Sequence, residues 1–520
     1  MGQVLVFDTT LRDGAKSPGT FLTIEEKVRL ARQLARLGVN VLEVGFPAAS
    51  EEQFAAVERI AHEVRGPVLT VLARATNPTD FEIAWQAVKD APRPRVHTFL
   101  PVSREYREHF FKKSAAELLT LAASAVGMAR KLCPDVEFSL VDAFRAKPGD
   151  VLEMVRAGID AGASTINLAD TVGCAHPADI THLLQRLKNE VECFGDVVLS
   201  IHCHNDLGLA VANSLAAVAE GVGQVHCTIN GIGERAGNTP LEELVVALHT
   251  RPEGPGPRTS VRLDQIASTS RLVRRLTGIS LQPHKPVVGG NVYVYESLVP
   301  QLADSTEKPP FEIIRPQDVG LAEESCVLTA KTSREAFKAR ALELGYELDN
   351  AALEVCYTAF EEFVSRKENV FDADLELLLS TRAAAEPVRY KLLYLNVTAG
   401  SISVPNATVQ LEVDGEILQD AGFGRGPVDA SFKTICRMLK RFPKMVRYEV
   451  NAVTMGADAQ GEVTIRLEES GYLVQGRAVD TDIVLASARS LIDGLNKLDR
   501  LRAEPEISEF TDVESRMPRL

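Results

Sequence analysis

From residue 4 to about residue 249, two kinds of segment alternate along the chain. Short runs dense in Val, Leu, Ile and Phe occur at VLVFD (4–8), VNVLEVGF (39–46), VLTVLA (68–73), RVHTFL (95–100), VEFSLVDA (136–143), STINLAD (164–170), VLSIHCHND (198–206) and QVHCTIN (224–230). Each ends in polar residues and gives way to a stretch whose apolar positions recur at helical spacing. TIEEKVRLARQLARLG (23–38) shows the helical pattern in full. Thr23 can cap free N–H groups, the early glutamates suit the positive helix end, and Gly38 permits a left-handed exit. Eight strand-then-helix units predict an α/β fold, the TIM (β/α)8 barrel. A doubly wound parallel sheet is the alternative.

Beyond Leu248 the pattern changes. The prolines and glycines of RPEGPGPRTS (251–260) read as a linker, and residues 261–385 are mostly helical, with an irregular stretch at 287–310. Residues 388–498 carry a weak internal repeat. VRYKLLYLNVTAG (388–400) resembles VRYEVNAVTMGAD (446–458), and 407–442 parallels 462–498. Each copy predicts strands of period-two alternation followed by a helix. The chain is thereby divided into a barrel at 1–250, helical linker subdomains at 251–386, an α+β domain at 387–500 and a charged, frayed tail at 501–520.

Composition narrows the function. The net charge of −14 over 520 residues, with no Lys/Arg tract, argues against binding nucleic acid. No apolar run is long enough to span a bilayer, and the first residues lack the basic and apolar regions of a signal peptide. Eight scattered cysteines form no CxxC pair and read as reduced thiols, so a cytoplasmic location is expected.

In a TIM barrel the chemistry sits at the C-terminal strand ends and in the loops that follow. Those positions hold Asp8, Glu43, Arg74, His97, Asp142, Asp170 and the pair His202 and His204. Residues two apart in a strand share a face, so both imidazoles can converge on one point. With Asp8 from strand 1 and Asn238 after strand 8, they form a mixed N/O set suited to Mn, Zn, Co or Fe, with Mg possible. Arg12 places a cation over that point, where it can neutralise a developing oxyanion. Asp13 reads as a turn former before Gly14. GIGERAGNTPLEE (231–243) has the glycines of a phosphate loop but no following GK[ST]. Thr239-Pro240 reads as helix cap and first helical residue, and the glycines as room for close approach to the metal.

FDTTLRDG (7–14), EVGFP (43–47), INLADTVG (166–173), HCHNDLGLAVANSLAA (202–217) and NGIGERAGNTPLEE (230–243) together resemble the 2-isopropylmalate synthase family, of the DRE-TIM group of metal-dependent Claisen enzymes. GPVDASF (426–432) and DTDIVLASA (480–488) look like that family's leucine-sensing regulatory domain. The resemblance implies a divalent metal at Asp8, His202, His204 and Asn238, and substrate activation by Arg12. It also implies 2-oxo acid contacts from Glu43, His97 and Thr171, acetyl-CoA as co-substrate, an amino-acid effector and a homodimer.

The chain departs from the family pattern at Lys16, where glutamine is usual, and at Val141, where a glutamate is usual. Tyr295 and Pro300 stand in place of two histidines. Tyr295, Glu296 and Lys16 become the candidates for acid/base work, Lys16 also as an imine-forming nucleophile or a carboxylate ligand. Val141 becomes a wall of the 2-oxo acid pocket. Together Val141 and Lys16 shift the pocket by about two charge units towards positive, so an anionic 2-oxo acid is expected as the better substrate. Two other readings stand beside the Claisen condensation. One is a CoA-independent aldolase, lyase or decarboxylase; the other is a non-catalytic amino-acid sensor.

Overall fold

A computed structural model describes residues 3–191, 195–250, 257–289, 292–293, 313–321, 332–343, 348–364, 375, 378–379, 389–452, 461–470 and 472–503. The chain forms two compact units, Met1–Glu323 and Glu324–Leu520.

The first unit is a closed barrel of eight parallel strands in sequential order: β1 (Leu5–Asp8), β2 (Val41–Gly45), β3 (Val68–Arg74), β4 (Pro94–Pro101), β5 (Val136–Val141), β6 (Thr165–Asp170), β7 (Val198–Cys203) and β8 (Gln224–Cys227). Closure is made by β1 against β8, with Phe7 opposite His226. The barrel is the one predicted, and the doubly wound alternative is excluded. The helix Ile24–Leu37 starts on a Thr23/Glu26 capping box and ends at Gly38 with φ 89°, as its residues predict. Side chains such as Leu30, Leu34, Val57, Ile60, Leu184 and Leu187 fill the layer between barrel and helices.

Register fixes which residues face the barrel axis. Phe7 and Thr9, Glu43, Arg95 and His97, Glu137 and Ser139, Asn167, Ser200 and His202, and Gln224 and His226 share the inward phase. The axis is therefore largely polar. Arg95 Nη1 donates to Glu137 and to Gln224 Oε1, each at 2.9 Å. Gln224 Nε2 reaches Glu137 and Ser200. His226 Nε2 lies 2.6 Å from Glu137 Oε1, with its ring stacked on Phe7 at 3.7 Å. All of these are buried, and mutual hydrogen bonding offsets the loss of water. The structure thus builds a rigid polar floor beneath the mouth of the barrel.

The helix Ile266–Thr277 completes the packing of this unit. In the second unit, helices Arg334–Glu343 and Asn350–Val364 enclose Phe337, Cys356 and Phe360. Two antiparallel three-stranded sheets follow. One has the order β11–β10–β9 (Glu416–Phe423, Asn406–Val413, Tyr390–Thr398), the other β12–β13–β14 (Lys444–Ala452, Gly461–Glu469, Tyr472–Asp480). Each is followed by a helix, Pro427–Met438 and Ile483–Ala503, so the repeat read from the sequence is a repeated βββα fold. The second helix runs three residues into the segment expected to be a frayed tail. One face of both sheets packs on the helices through Val409, Leu411, Ile465, Leu467, Ile435 and Leu491. The other face of the first sheet leaves Tyr394, Ile417 and Phe423 exposed. Among the described residues, no helix is long and apolar enough to cross a membrane.

Candidate active site and metal centre

The loop after β1 folds back over the barrel mouth through hydrogen bonds from the N–H groups of Arg12, Asp13 and Gly14 to the Thr9 carbonyl. That turn carries Asp13 to the two histidines of β7. Nε2 of His202 and of His204 lie 4.0 and 3.9 Å from Asp13 Oδ2, and 3.3 Å from one another. All three residues are buried. Asp13 Oδ2 has no hydrogen-bond donor, and neither does the buried Oδ1 of Asn238. Asn238 is bridged to His204 through the backbone, and its Nδ2 is committed to the Ile232 carbonyl at 3.0 Å.

The carboxylate beside the histidines is Asp13, where the sequence reading placed Asp8. Strand phase explains the correction: Phe7 and Thr9 face the axis, so Asp8 faces away from it. Its oxygens accept from Thr10 N–H and Thr10 Oγ1, both at 2.9 Å. Burial pushes the Asp8 carboxyl up to about 7, as expected of an acid shielded from cations. Burial opposes ionisation of Asp13 as well, but Arg12 and then Lys16 outweigh it and hold its carboxyl well below the usual range. Burial also keeps both imidazoles neutral by lowering their pKa. An ionised carboxylate, two neutral imidazoles and a bare amide oxygen are the protonation states a divalent cation requires. The Nδ1 of His204 faces the Gly237 carbonyl at 3.2 Å, which orients Nε2 towards the cluster.

Arg12 links this cluster to the next. Its Nη1 donates to Asp13 Oδ1 at 2.9 Å and its Nε to Glu43 Oε2 at 2.7 Å. Glu43 also accepts from Thr9 Oγ1 at 2.6 Å and faces His97 Nδ1 at 2.7 Å. Despite its burial, Arg12 and His97 hold its carboxyl below the ordinary range. His97 Nε2 then meets Ser139 Oγ at 2.7 Å, which accepts from Asn167 Nδ2 at 2.8 Å. A continuous line of hydrogen bonds thus crosses the barrel mouth from Asp13 to Asn167.

Lys16 is 43 % exposed and pairs with Asp13 at 3.4 Å and Glu234 at 3.6 Å. Its charge is therefore compensated, which removes the premise that Lys16 makes the pocket electropositive. Ion pairing also ties down the ammonium that an imine-forming nucleophile would need free. Val141 ends β5 in the inward phase, on the same strand as Ser139. Thr171 Oγ1 accepts from the backbone N–H of Asp142 at 2.8 Å, so its hydroxyl oxygen is already engaged. Three further strand-end candidates act locally: Arg74 is bound to Asp80, Asp142 to Arg145 and Ser103, and Asp170 accepts from the N–H groups of Cys174 and Ala175. Tyr295, Glu296 and Pro300 lie outside the described residues.

Sequence reading missed Ser139, Asn167, Glu137 and His226. Alternate-residue phasing from His97 and His202 around the barrel identifies all four. The glycines of 231–237 do permit close approach: a Cβ on Gly233 would stand 2.1 Å from Asn238 Nδ2, and one on Gly237 1.9 Å from the Gly231 carbonyl. The expected helix start shifts by one residue, since Pro240 precedes the helix Leu241–His249 while Thr239 is buried against Ser214.

Residues 3–273 match the HMGL-like family model. Residues 287–368 match a homocitrate synthase post-HMGL domain-like model, and 369–499 the LeuA allosteric (dimerisation) domain. A 2-isopropylmalate synthase from Syntrophus aciditrophicus is 45 % identical over 502 residues, covering 96 % of this chain and 97 % of that protein. One from Carboxydothermus hydrogenoformans is 45 % identical over 499 residues, with coverages of 96 % and 98 %. One from Heliobacterium modesticaldum is 43 % identical over 496 residues, with coverages of 95 % and 97 %.

Proposed function

Because this chain belongs to the 2-isopropylmalate synthase family, a family of acyltransferases that condense acetyl-CoA with a 2-oxo acid, we propose that its own 2-oxo acid carries a short, uncharged aliphatic side chain. The observation that carries this reading is charge balance at the mouth. Arg12 is matched by Asp13 and Glu43, Lys16 by Asp13 and Glu234, and the β5 wall ends in Val141. Among the described residues of the mouth, no unmatched cation awaits a second substrate carboxylate, so an anionic side chain would be desolvated without return. Among the described residues, nothing in the site favours the CoA-independent or the non-catalytic reading.

Asp13, His202, His204 and Asn238 would hold the divalent cation, replacing the Asp8 set. When bound, the ion supplies Lewis-acid polarisation of the 2-oxo carbonyl. Arg12, fixed on two carboxylates, orients the substrate and stabilises negative charge on the carbonyl oxygen as the new C–C bond forms. Glu43 and Asn167 hold His97 and Ser139 in place, and contact with the substrate carboxylate requires the His97–Ser139 pair to exchange its mutual hydrogen bond for one to the substrate. In the overall balance the acetyl methyl group gives up a proton and bonds to the carbonyl carbon. The carbonyl oxygen takes a proton, and water cleaves the thioester to release the CoA thiol and a 2-alkylmalate. For the second unit, the repeated βββα domain supports an amino-acid effector site, and the exposed apolar sheet face supports a homodimer.

The test is release of free thiol from acetyl-CoA across a panel of 2-oxo acids with and without a second carboxylate. Highest kcat/KM is expected for a branched aliphatic acid such as 2-oxoisovalerate. Preference for a dicarboxylic acid would overturn the charge argument, and turnover without CoA would overturn the condensation.

A further inference from the structure

Asn238 belongs to the proposed metal set only if its amide oxygen, not its nitrogen, faces the cluster, and the loop 228–238 determines which does. Asn238 Nδ2 donates to the Ile232 carbonyl, and Asn238 N–H donates to the Gly231 carbonyl, both at 3.0 Å. Those two carbonyls follow Asn230, which holds a left-handed φ of 62°. Asparagine adopts this conformation more readily than other non-glycine residues, and the contacts of Asn230 select it here.

Asn230 is held from two sides. Its side-chain amide exchanges hydrogen bonds with Ser270, Nδ2 to the carbonyl at 3.1 Å and Oδ1 from the hydroxyl at 2.5 Å. Its backbone N–H donates at 3.0 Å to Oε2 of Glu242, a buried carboxylate in the first turn of the helix Leu241–His249. The other oxygen of Glu242 lies 3.3 Å from Nζ of Lys285, whose second partner is Glu243 at 2.7 Å. Lys285 itself is largely buried, in the segment that leads into the region matching the post-HMGL domain at 287–368. The mechanism outlined above uses none of these groups.

Resting on the metal-site reading, we propose that Glu242 and Lys285 are positioning residues for the metal: the Glu242 acceptor oxygen, held in place by Lys285, anchors Asn230, which sets the carbonyls that turn the Asn238 oxygen towards the cation. Loss of Lys285 leaves the Glu242 carboxylate buried without its cation and so drives it to protonate or shift. The loop then loses its anchor at the left-handed residue Asn230.

The experiment is a Co²⁺ titration of the metal-stripped full chain, followed by binding heat and by the visible spectrum of the bound ion. Lys285→Met and Glu242→Leu should each weaken Co²⁺ binding about 10–100-fold, the range for lost outer partners of metal ligands, and should alter the spectrum. Glu242→Gln keeps an acceptor for Asn230 N–H and should stay within about 3-fold of the wild type. Lys285→Arg should restore binding in the same way. If Glu242→Leu does not fold, Lys285→Met against Lys285→Arg carries the comparison. Wild-type affinity and spectrum in Lys285→Met, or a loss in Glu242→Gln as large as in Glu242→Leu, would overturn the proposal. His202→Ala separates the two levels: undiminished Co²⁺ binding there refutes the metal site itself, whereas its loss beside unaffected Lys285→Met refutes only the anchor.

Discussion

Asp8 and Asp13 are both buried carboxylates on the same turn, five residues apart, and exchanging each for asparagine separates their roles. Asp13→Asn removes the one negative ligand from a set otherwise made of neutral groups. The loss of divalent-ion affinity should exceed the roughly 10–100-fold seen for outer partners, that is, more than about 1.4–2.7 kcal/mol. Asp8→Asn retains an acceptor for Thr10 N–H and should leave affinity within about 3-fold. Asp8 carries a second signature. Its carboxyl sits near 7 in the folded protein against an unperturbed value near 4, so between those pH values the folded state binds the extra proton. Stability from this group is therefore greatest in acid and declines as pH rises through 7, opposite to the usual carboxylate. A shift of about three units at about 1.4 kcal/mol each sets an upper bound of about 4 kcal/mol. Asp8→Asn should gain on the wild type progressively from pH 4 to pH 8 in chemical denaturation of the metal-free protein. If Asp8→Asn abolishes metal binding while Asp13→Asn keeps it, the assignment by strand phase is wrong. A pH-independent difference between Asp8→Asn and wild type would contradict the burial argument.

Glu43→Gln leaves Arg12 buried with one carboxylate and should cost about 3–5 kcal/mol at pH 7 by calorimetry, together with most of kcat/KM. Since the Glu43 carboxyl is depressed, that difference should hold above about pH 4 and close only as pH falls further. Gly237→Ala drives a Cβ into the Gly231 carbonyl at a φ of 87°, and should abolish Co²⁺ binding in protein that still shows barrel circular dichroism. A fragment of residues 389–503 encloses its own apolar core and should unfold cooperatively; a non-cooperative melt would show that it depends on the preceding helices. Arg441, which pairs with Glu469 and Asp499, joins the two βββα halves, so Arg441→Met should lower the melting temperature of that fragment.

The barrel was legible because each strand and each helix announces itself locally, Thr23 and Gly38 being the clearest case. The convergence of His202 and His204 was legible because strand phase needs only a count of two. The same count applied to β1 rejects Asp8, since Thr9 and Phe7 flank it on the axial side. Asp13 was hidden by chemistry shared between turns and metal sites: a carboxylate before glycine serves either, and only the fold of the loop onto Thr9 decides. The pairing of Lys16 with Glu234 was not legible because the two lie 218 positions apart, and no local pattern connects them. Glu137, Arg95, Gln224 and His226 come from three strands and acquire meaning only once the barrel closes.

That polar floor also constrains how the sequence can change over time. In an apolar barrel axis, one methyl group can be exchanged for another with modest loss, and neighbouring positions drift almost independently. Here, replacing Glu137 alone strands Arg95, Gln224 and His226 away from water, whereas an apolar replacement of all four could be nearly neutral. The four positions should therefore be strongly epistatic, each tolerating substitution only in the company of the others. A lineage would have to cross several destabilised intermediates to reach an apolar axis, which makes the inherited network self-preserving even where it takes no part in the reaction.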